Sequence, residues 1–297
     1  MSLRVAACAY PVEAPADFAA YAQKQARWVE AAVEQGAQLL VFPEYAAVEL
    51  TSTLDAAVRG ELQRELAALQ PLLPNLLQTF SELAQKHGVY ILSPSFPERD
   101  AESGRYHNRA RLHGPSGAAG VIEKLQMTRF ESEQWGISAG QTQRVFETPH
   151  GIIGVAICYD SEFPLLVRKQ VELGAELVLV PSNTDTLAGY HRVALSCRAR
   201  ALENQVYVVH APTVGALPES LALDENHGAA AIYGPVDRGF ADDGVIARGA
   251  FDTPGWVMAD LDRAALAKVR SDGQVRNHRD WDQPAHASAA TTRNPLA

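Results

Sequence analysis

Residues 151–164 read Gly-Ile-Ile-Gly-Val-Ala-Ile-Cys-Tyr-Asp-Ser-Glu-Phe-Pro. The apolar run 151–157 has the composition of a buried strand. Pro164 suits the first turn of a helix, which runs to 173 and is closed by Gly174. A strand-to-helix junction projects its side chain at the carboxyl edge of a sheet, where the helix N-terminus favours a thiolate. Cys158 stands at that junction. Free cysteine is also among the most buried residue types, so position alone leaves Cys158 either a nucleophile or a continuation of the core strand.

The same unit recurs outward from this stretch. Strand composition marks 4–9, 38–42, 90–93, 177–180 and 206–210, with shorter strands at 229–233 and 256–260. Helical periodicity marks 17–35, 54–87 (interrupted near Pro71 and Pro74) and 187–204. Residues 109–112 and 121–124 flank a turn-rich 113–120 and predict an antiparallel hairpin. Strands and helices alternate without a linker or internal repeat, which predicts one α/β domain over 1–270 and a loosely held polar tail over 271–297.

The 297 residues carry a net charge of −9, and their basic side chains are scattered, which argues against a nucleic-acid surface. Cys8, Cys158 and Cys197 are too few and too dispersed for a disulfide framework, a zinc knuckle or a redox pair. No stretch has the length and apolarity of a signal peptide or a membrane span, so a soluble cytoplasmic protein is expected.

Two other strand ends carry chemistry. Glu44 follows Pro43 at the end of an apolar strand, and Lys124 closes Val-Ile-Glu-Lys. A carboxylate held beside a thiol and partly desolvated has a raised pKa and can accept the thiol proton. Taken singly, Glu44 reads as a loop residue and Lys124 as a surface charge. Taken together with Cys158, the three could converge on one sheet edge.

At this point the chain resembles the nitrilase superfamily of carbon-nitrogen hydrolases, from Arg4 to about Asp260. Val-Phe-Pro-Glu44 is similar to that family's glutamate motif. His107-Asn108, the turn at 114–117 and Glu123-Lys124 resemble its asparagine-to-lysine segment. The stretch 154–164 resembles its nucleophile motif, followed by Gly174-Ala175, Val180-Pro181-Ser182 and the helix residues from Arg198 to Asn204. The resemblance implies a four-layer α-β-β-α sandwich that dimerises through helices, with the Cys197 helix and the segment after Pro164 as interface candidates. It implies a Glu44–Lys124–Cys158 triad with no cofactor and no metal. A second glutamate supports the lysine in the family; Glu133 is assigned to it on its distance to Gly140, with Glu131 as the competing residue.

The implied chemistry is amide hydrolysis. Cys158 attacks the carbonyl, Glu44 moves protons, and Lys124 with the backbone N–H of Tyr159 holds the oxyanion. Tyr45, Trp135 and Asn183 adjoin these positions and are expected to line the pocket for a small-molecule amide. The chain departs from the family pattern at Glu123 and Glu162, where many members carry arginine. Tyr159-Asp160, in place of the tryptophan and glutamate common in nitrilases, favours an amide over a nitrile. Ureido hydrolysis is the runner-up, and a non-catalytic binding module is the alternative outside enzymes. Cys8 and Cys197 read as core, and His150, His191 and His210 lack the surroundings of a papain-like partner.

Overall fold

The computed structural model describes residues 2–281. Its strands are β1 (Ser2–Pro11), β2 (Leu39–Val41), β3 (Tyr90–Leu92), β4 (Phe96–Arg99), β5 (Tyr106–His113), β6 (Ala119–Glu123) and β7 (Ile137–Ser138). They continue with β8 (Val145–Thr148), β9 (Gly151–Val155), β10 (Leu177–Ser182), β11 (Tyr207–Val214), β12 (Ala231–Tyr233), β13 (Val245–Arg248) and β14 (Gly255–Asp262). The helices are α1 (Phe18–Val33), α2 (Leu62–Leu69), α3 (Leu73–His87), α4 (Pro164–Glu172), α5 (Leu187–Asn204), α6 (Arg263–Asp272) and α7 (Asn277–Asp280).

In one sheet β1, β2 and β3 are parallel neighbours, β14 pairs antiparallel to β1, and β5 carries β4 and β6 antiparallel. In the other, β9, β10 and β11 are parallel, flanked by antiparallel β8 and β12. The two join where Tyr10 and Pro11 of β1 meet Thr213 and Val214 of β11.

Strand pleating explains the layers. On β1, Val5, Ala7 and Ala9 enter a core shared with Ile153 and Val155 of the second sheet, and Ala6, Cys8 and Tyr10 face the opposite way. That second face is covered by Tyr21 and Val29 of α1 and by Leu76 and Phe80 of α3. The outer face of the second sheet packs on Val167 of α4, Val193 and Cys197 of α5, and Leu266 of α6. The result is the expected α-β-β-α sandwich. Each fully buried valine or leucine contributes about 1.5–3 kcal/mol of transfer free energy.

Local chemistry sets the helix ends. Asp17 caps α1 by accepting from Ala20 N at 2.7 Å, and Thr186 caps α5 by accepting from Gly189 N at 3.0 Å. The helical stretch expected over 54–87 shows its expected interruption at Pro71, but it starts only at Leu62, and 54–61 are not helical. A 3-10 segment spans Ala46–Thr53, and α2 and α3 are joined by a single 3-10 turn, Gln70–Leu72. Gly60 (φ 86°) supplies the left-handed bend before α2, and Glu65 Oε1 accepts from its N–H at 2.7 Å.

The irregular stretch expected from Ser271 is also different where it is described. Ser271 and Asp272 complete α6, and Asp237 accepts from the N–H groups of Gln274 and Val275. Trp281 Nε1 donates to the Glu203 carbonyl at 2.9 Å. Backbone hydrogen bonding therefore docks 271–281 onto the domain, whereas 282–297 lie outside the described residues. No helix among the described residues is long and apolar enough to cross a membrane.

Candidate active site

Glu44, Lys124 and Cys158 follow β2, β6 and β9 respectively. Strand β9 stops at Val155, and Cys158 opens a 3-10 turn with φ 48°, a left-handed conformation that costs a non-glycine residue about 1–3 kcal/mol. Tyr45 is also left-handed (φ 55°), and its N–H donates to Ser95 Oγ at 3.0 Å, which turns the chain directly after Glu44. Lys124 is pinned by its own backbone: its N–H donates to the Asn108 carbonyl and its carbonyl accepts from Gly140 N. A Cβ at Gly140 would lie 2.9 Å from that carbonyl oxygen, so the approach requires glycine.

The three side chains meet in one buried cluster. Lys124 Nζ donates to Glu44 Oε1 at 2.8 Å and to Glu131 Oε2 at 2.7 Å. Asn108 Nδ2 donates to Glu44 Oε1 at 2.9 Å, and Asn183 N donates to Glu44 Oε2 at 3.0 Å. Cys158 Sγ lies 3.6 Å from the Asn183 carbonyl oxygen. An ammonium has three N–H bonds and two are committed here, which leaves one to point at a ligand.

The environment pushes the two carboxyls apart. Burial raises Glu44, with Lys124 opposing only in part. Burial would raise Glu131 too, but Lys124 and hydrogen bonds from Thr128 and Tyr45 outweigh it and hold Glu131 below the usual range. Burial also pushes the Cys158 thiol well up, and Glu44 adds to this. Lys124 is held well above its ordinary value: burial acts against its charge, and Glu131 and Glu44 overcome that. Glu131 is thus held as the anion beside the lysine, while burial disfavours charge on Glu44.

This arrangement overturns the assignment of Glu133. Its carboxylate is 55% exposed and pairs with Arg129 at 2.9 Å, remote from Lys124. Residues two apart on a helical turn point to different faces, so only one glutamate can turn inward. Thr128 decides which: its N–H donates to Glu131 Oε2 at 2.9 Å, and Glu131 N donates to Thr128 Oγ1 at 3.3 Å. That is a reciprocal capping box, and Thr128-x-x-Glu131 is its visible sequence signal.

A cavity of about 320 Å³ opens over the cluster, and Tyr45, Trp135, Tyr159 and Asn183 all line it. Tyr45 packs against the Trp135 ring at 4.6 Å, and its hydroxyl donates to Glu131 Oε1 at 2.8 Å. Asn183 lines the cavity, but its side-chain amide is committed to Thr213 Oγ1 and Asn226 Oδ1. It faces the reactive groups with its backbone. Glu123, where the resemblance expects arginine, is matched by its cross-strand neighbour Arg109 at 2.7 Å. Cys8 and Cys197 are buried in the two cores, and His210 is bound to Ser182 Oγ at 2.8 Å, away from Cys158.

The sequence pattern of the carbon-nitrogen hydrolase family matches residues 4–271. A probable hydrolase of Bacillus subtilis, YhcX, is 34% identical over 94% of this chain, and the match spans 53% of that protein, about half its length. The omega-amidase NIT2-B of Xenopus laevis is 27% identical over 86% of this chain and 88% of its own. Among solved structures, Saccharomyces cerevisiae Nit3 superposes with a TM-score of 0.70 at 21% identity (91% of this chain, 93% of that one). A Nesterenkonia amidase from the nitrilase superfamily gives 0.68 at 22% identity (94% and 97%). The structural likenesses establish the shared sandwich. With the family pattern running almost end to end through the strands that carry Glu44, Lys124 and Cys158, the chain belongs to the carbon-nitrogen hydrolase family.

Proposed function

We propose that the protein hydrolyses a small linear amide to a carboxylate and ammonia through a thioester on Cys158. The supporting observation is the buried contact of Glu44 with Lys124 and Asn183 N beside the Cys158 thiol. An amide needs a strong nucleophile, a proton for its departing nitrogen and a site for its oxyanion. Glu44, raised by burial, takes the Cys158 proton as sulfur attacks the carbonyl carbon. The carbonyl electrons move to oxygen, which the remaining Lys124 N–H and the Tyr159 N–H receive. Glu44 returns the proton to nitrogen, the C–N bond breaks and ammonia leaves. Water then attacks the thioester, Glu44 takes its proton, the C–S bond breaks and the thiol is restored. Glu131 keeps Lys124 charged and in place throughout.

Ammonia release over chemically varied amides tests this reading, with Cys158→Ala as the control. Turnover by the variant equal to wild type overturns it. Carbon dioxide appearing with the ammonia identifies a ureido substrate instead. Exposed Leu165 on α4 and Leu195 on α5 support self-association of the chain, and a monomer in sedimentation at working concentration overturns that part.

A further inference from the structure

The backbone of Asn183 touches two residues of the cluster at once. Its N–H donates to Glu44 Oε2 at 3.0 Å, and its carbonyl oxygen lies 3.6 Å from Cys158 Sγ. That N–H and that carbonyl belong to successive peptide planes, so the φ and ψ of Asn183 set the span from carboxylate to thiol. Glu44 Oε1 already accepts from Lys124 Nζ and Asn108 Nδ2, which fill its two lone pairs. Oε2 takes the Asn183 N–H and keeps a lone pair for a proton.

Two buried side chains hold Asn183 from other elements. Asn183 follows β10, whose Ser182 lies opposite Pro212 of β11, and this register brings Thr213 beside it. Asn183 Nδ2 donates to Thr213 Oγ1 at 2.7 Å and to Asn226 Oδ1 at 2.6 Å, so both amide hydrogens are committed. Asn226 is locked in turn. Its Nδ2 donates to the Gly215 carbonyl at 3.2 Å and the Leu223 carbonyl at 2.8 Å, and its own carbonyl accepts from Gly215 N at 3.0 Å. Thr213 is fully buried and Asn226 is 1% exposed, so water does not compete for these bonds. Leu221 and Ala222 line the cavity a few residues before Asn226, so the segment that holds Asn183 also supplies pocket wall.

Resting on the amide reading above, we infer that Thr213 and Asn226 are positioning residues for the reaction at Cys158, acting through the backbone of Asn183. Neither is among the residues lining the cavity. They hold the Asn183 side chain, and the Asn183 N–H holds Glu44 Oε2 beside the thiol. With either acceptor removed, the Asn183 side chain gains rotational freedom and the backbone contact with Glu44 slackens. A carboxylate that loses a donor is less stable as an anion, so Glu44 moves up. One hydrogen bond to a charged group is worth about one pH unit of such a shift, and the same free energy is about tenfold in rate.

The test measures kcat and KM across pH for Thr213→Val and Asn226→Ala, on the best amide of the ammonia-release screen. Each variant is expected to lower kcat by about tenfold and to move the acid limb of its pH profile up by about one unit, with KM little changed. An unshifted limb overturns the inference; with a raised KM it shows residues that only support the pocket wall. Thr213→Val swaps a hydroxyl for a methyl of the same shape, and it carries the test where Asn226→Ala does not fold by circular dichroism. If no amide is turned over, the amide reading fails, and the inference is read instead on Cys158 alkylation by iodoacetamide. There sulfur attacks the methylene carbon, iodide leaves and Glu44 takes the thiol proton, so the same limb moves up in both variants. Superimposable labelling profiles in wild type and variants overturn the inference by themselves.

Discussion

Asp160 Oδ1 accepts a hydrogen bond from Gln126 N at 2.7 Å, and both its oxygens lie 3.1 Å from Leu125 N. One carboxylate, two residues after Cys158, therefore holds the two peptide groups that follow Lys124. The Cys158 turn and the lysine are registered through this contact rather than through the strands, because β6 and β9 lie in different sheets.

Burial pushes the Asp160 carboxyl up to about 7, against Lys124 and the two backbone donors. An unfolded aspartate titrates near about 3.9, so the folded state binds the proton more tightly. The associated stability is full below that value and is lost as the pH rises through the folded pKa. Asp160→Asn removes this slope. In urea unfolding, the variant is expected to gain about 2–3 kcal/mol relative to wild type between about pH 5 and pH 8. A pH-independent difference would refute the assignment. The same variant is expected to lower kcat more than it raises KM, because Lys124 loses register.

The two glutamates of the wide turn Phe130–Trp135 are expected to behave differently. Glu131→Gln leaves Lys124 with one buried anion and should cost about 3–5 kcal/mol of stability or at least a hundredfold in kcat. Glu133→Gln breaks only an exposed pair and should stay within about 0.5 kcal/mol in thermal unfolding. Equal effects in the two variants contradict the geometry.

Among the thiols, Cys158→Ala should abolish turnover with the fold intact by circular dichroism. Cys8→Ala and Cys197→Ala, both in well-packed cores, should retain turnover and lose about 1 kcal/mol of stability each. Burial raises the thiol pKa of all three residues, so mass-spectrometric mapping after mild alkylation reports access. Cys158, which lines the cavity, is expected to label first.

Trp281 anchors the last described turn by donating to the Glu203 carbonyl and packing under the Arg168 guanidinium at 5.1 Å. Trp281→Ala should lower stability by about 1–3 kcal/mol, read by chemical denaturation, because an aromatic contact and a buried donor are lost together. No change in the denaturation midpoint would show that this turn does not hold the end of α5.

The sequence by itself located the strands that lead to Glu44, Lys124 and Cys158, but not every strand end: the strand before Cys158 stops at Val155 rather than 157, and β11 runs on to Val214 rather than 210. Short apolar runs closed by Pro43, by Lys124 and by the turn after Cys158 carry period, composition and stop signal within a few residues. A local pattern of that kind also fixed the hairpin around 113–120 and the bounds of α5. Short strands such as β4 and β13 were not legible, because four residues hold too little periodicity and their pairing partners supply the order. In the helical stretch expected over 54–87 the interruption at Pro71 was legible, whereas the non-helical start at 54–61 was not, because the bend at Gly60 depends on its N–H finding Glu65.

Tertiary structure completed the choice between Glu131 and Glu133. Both have the same chemistry and lie two residues apart; the local Thr128-x-x-Glu131 capping box turns Glu131 inward, and Tyr45 and Lys124 meet it there. The same holds for the charge at the cavity mouth. Glu162 and Arg192 lie thirty residues apart, and folding alone brings them within 3.4 Å of one another. Strand position is written locally, whereas which charge is compensated depends on long-range neighbours.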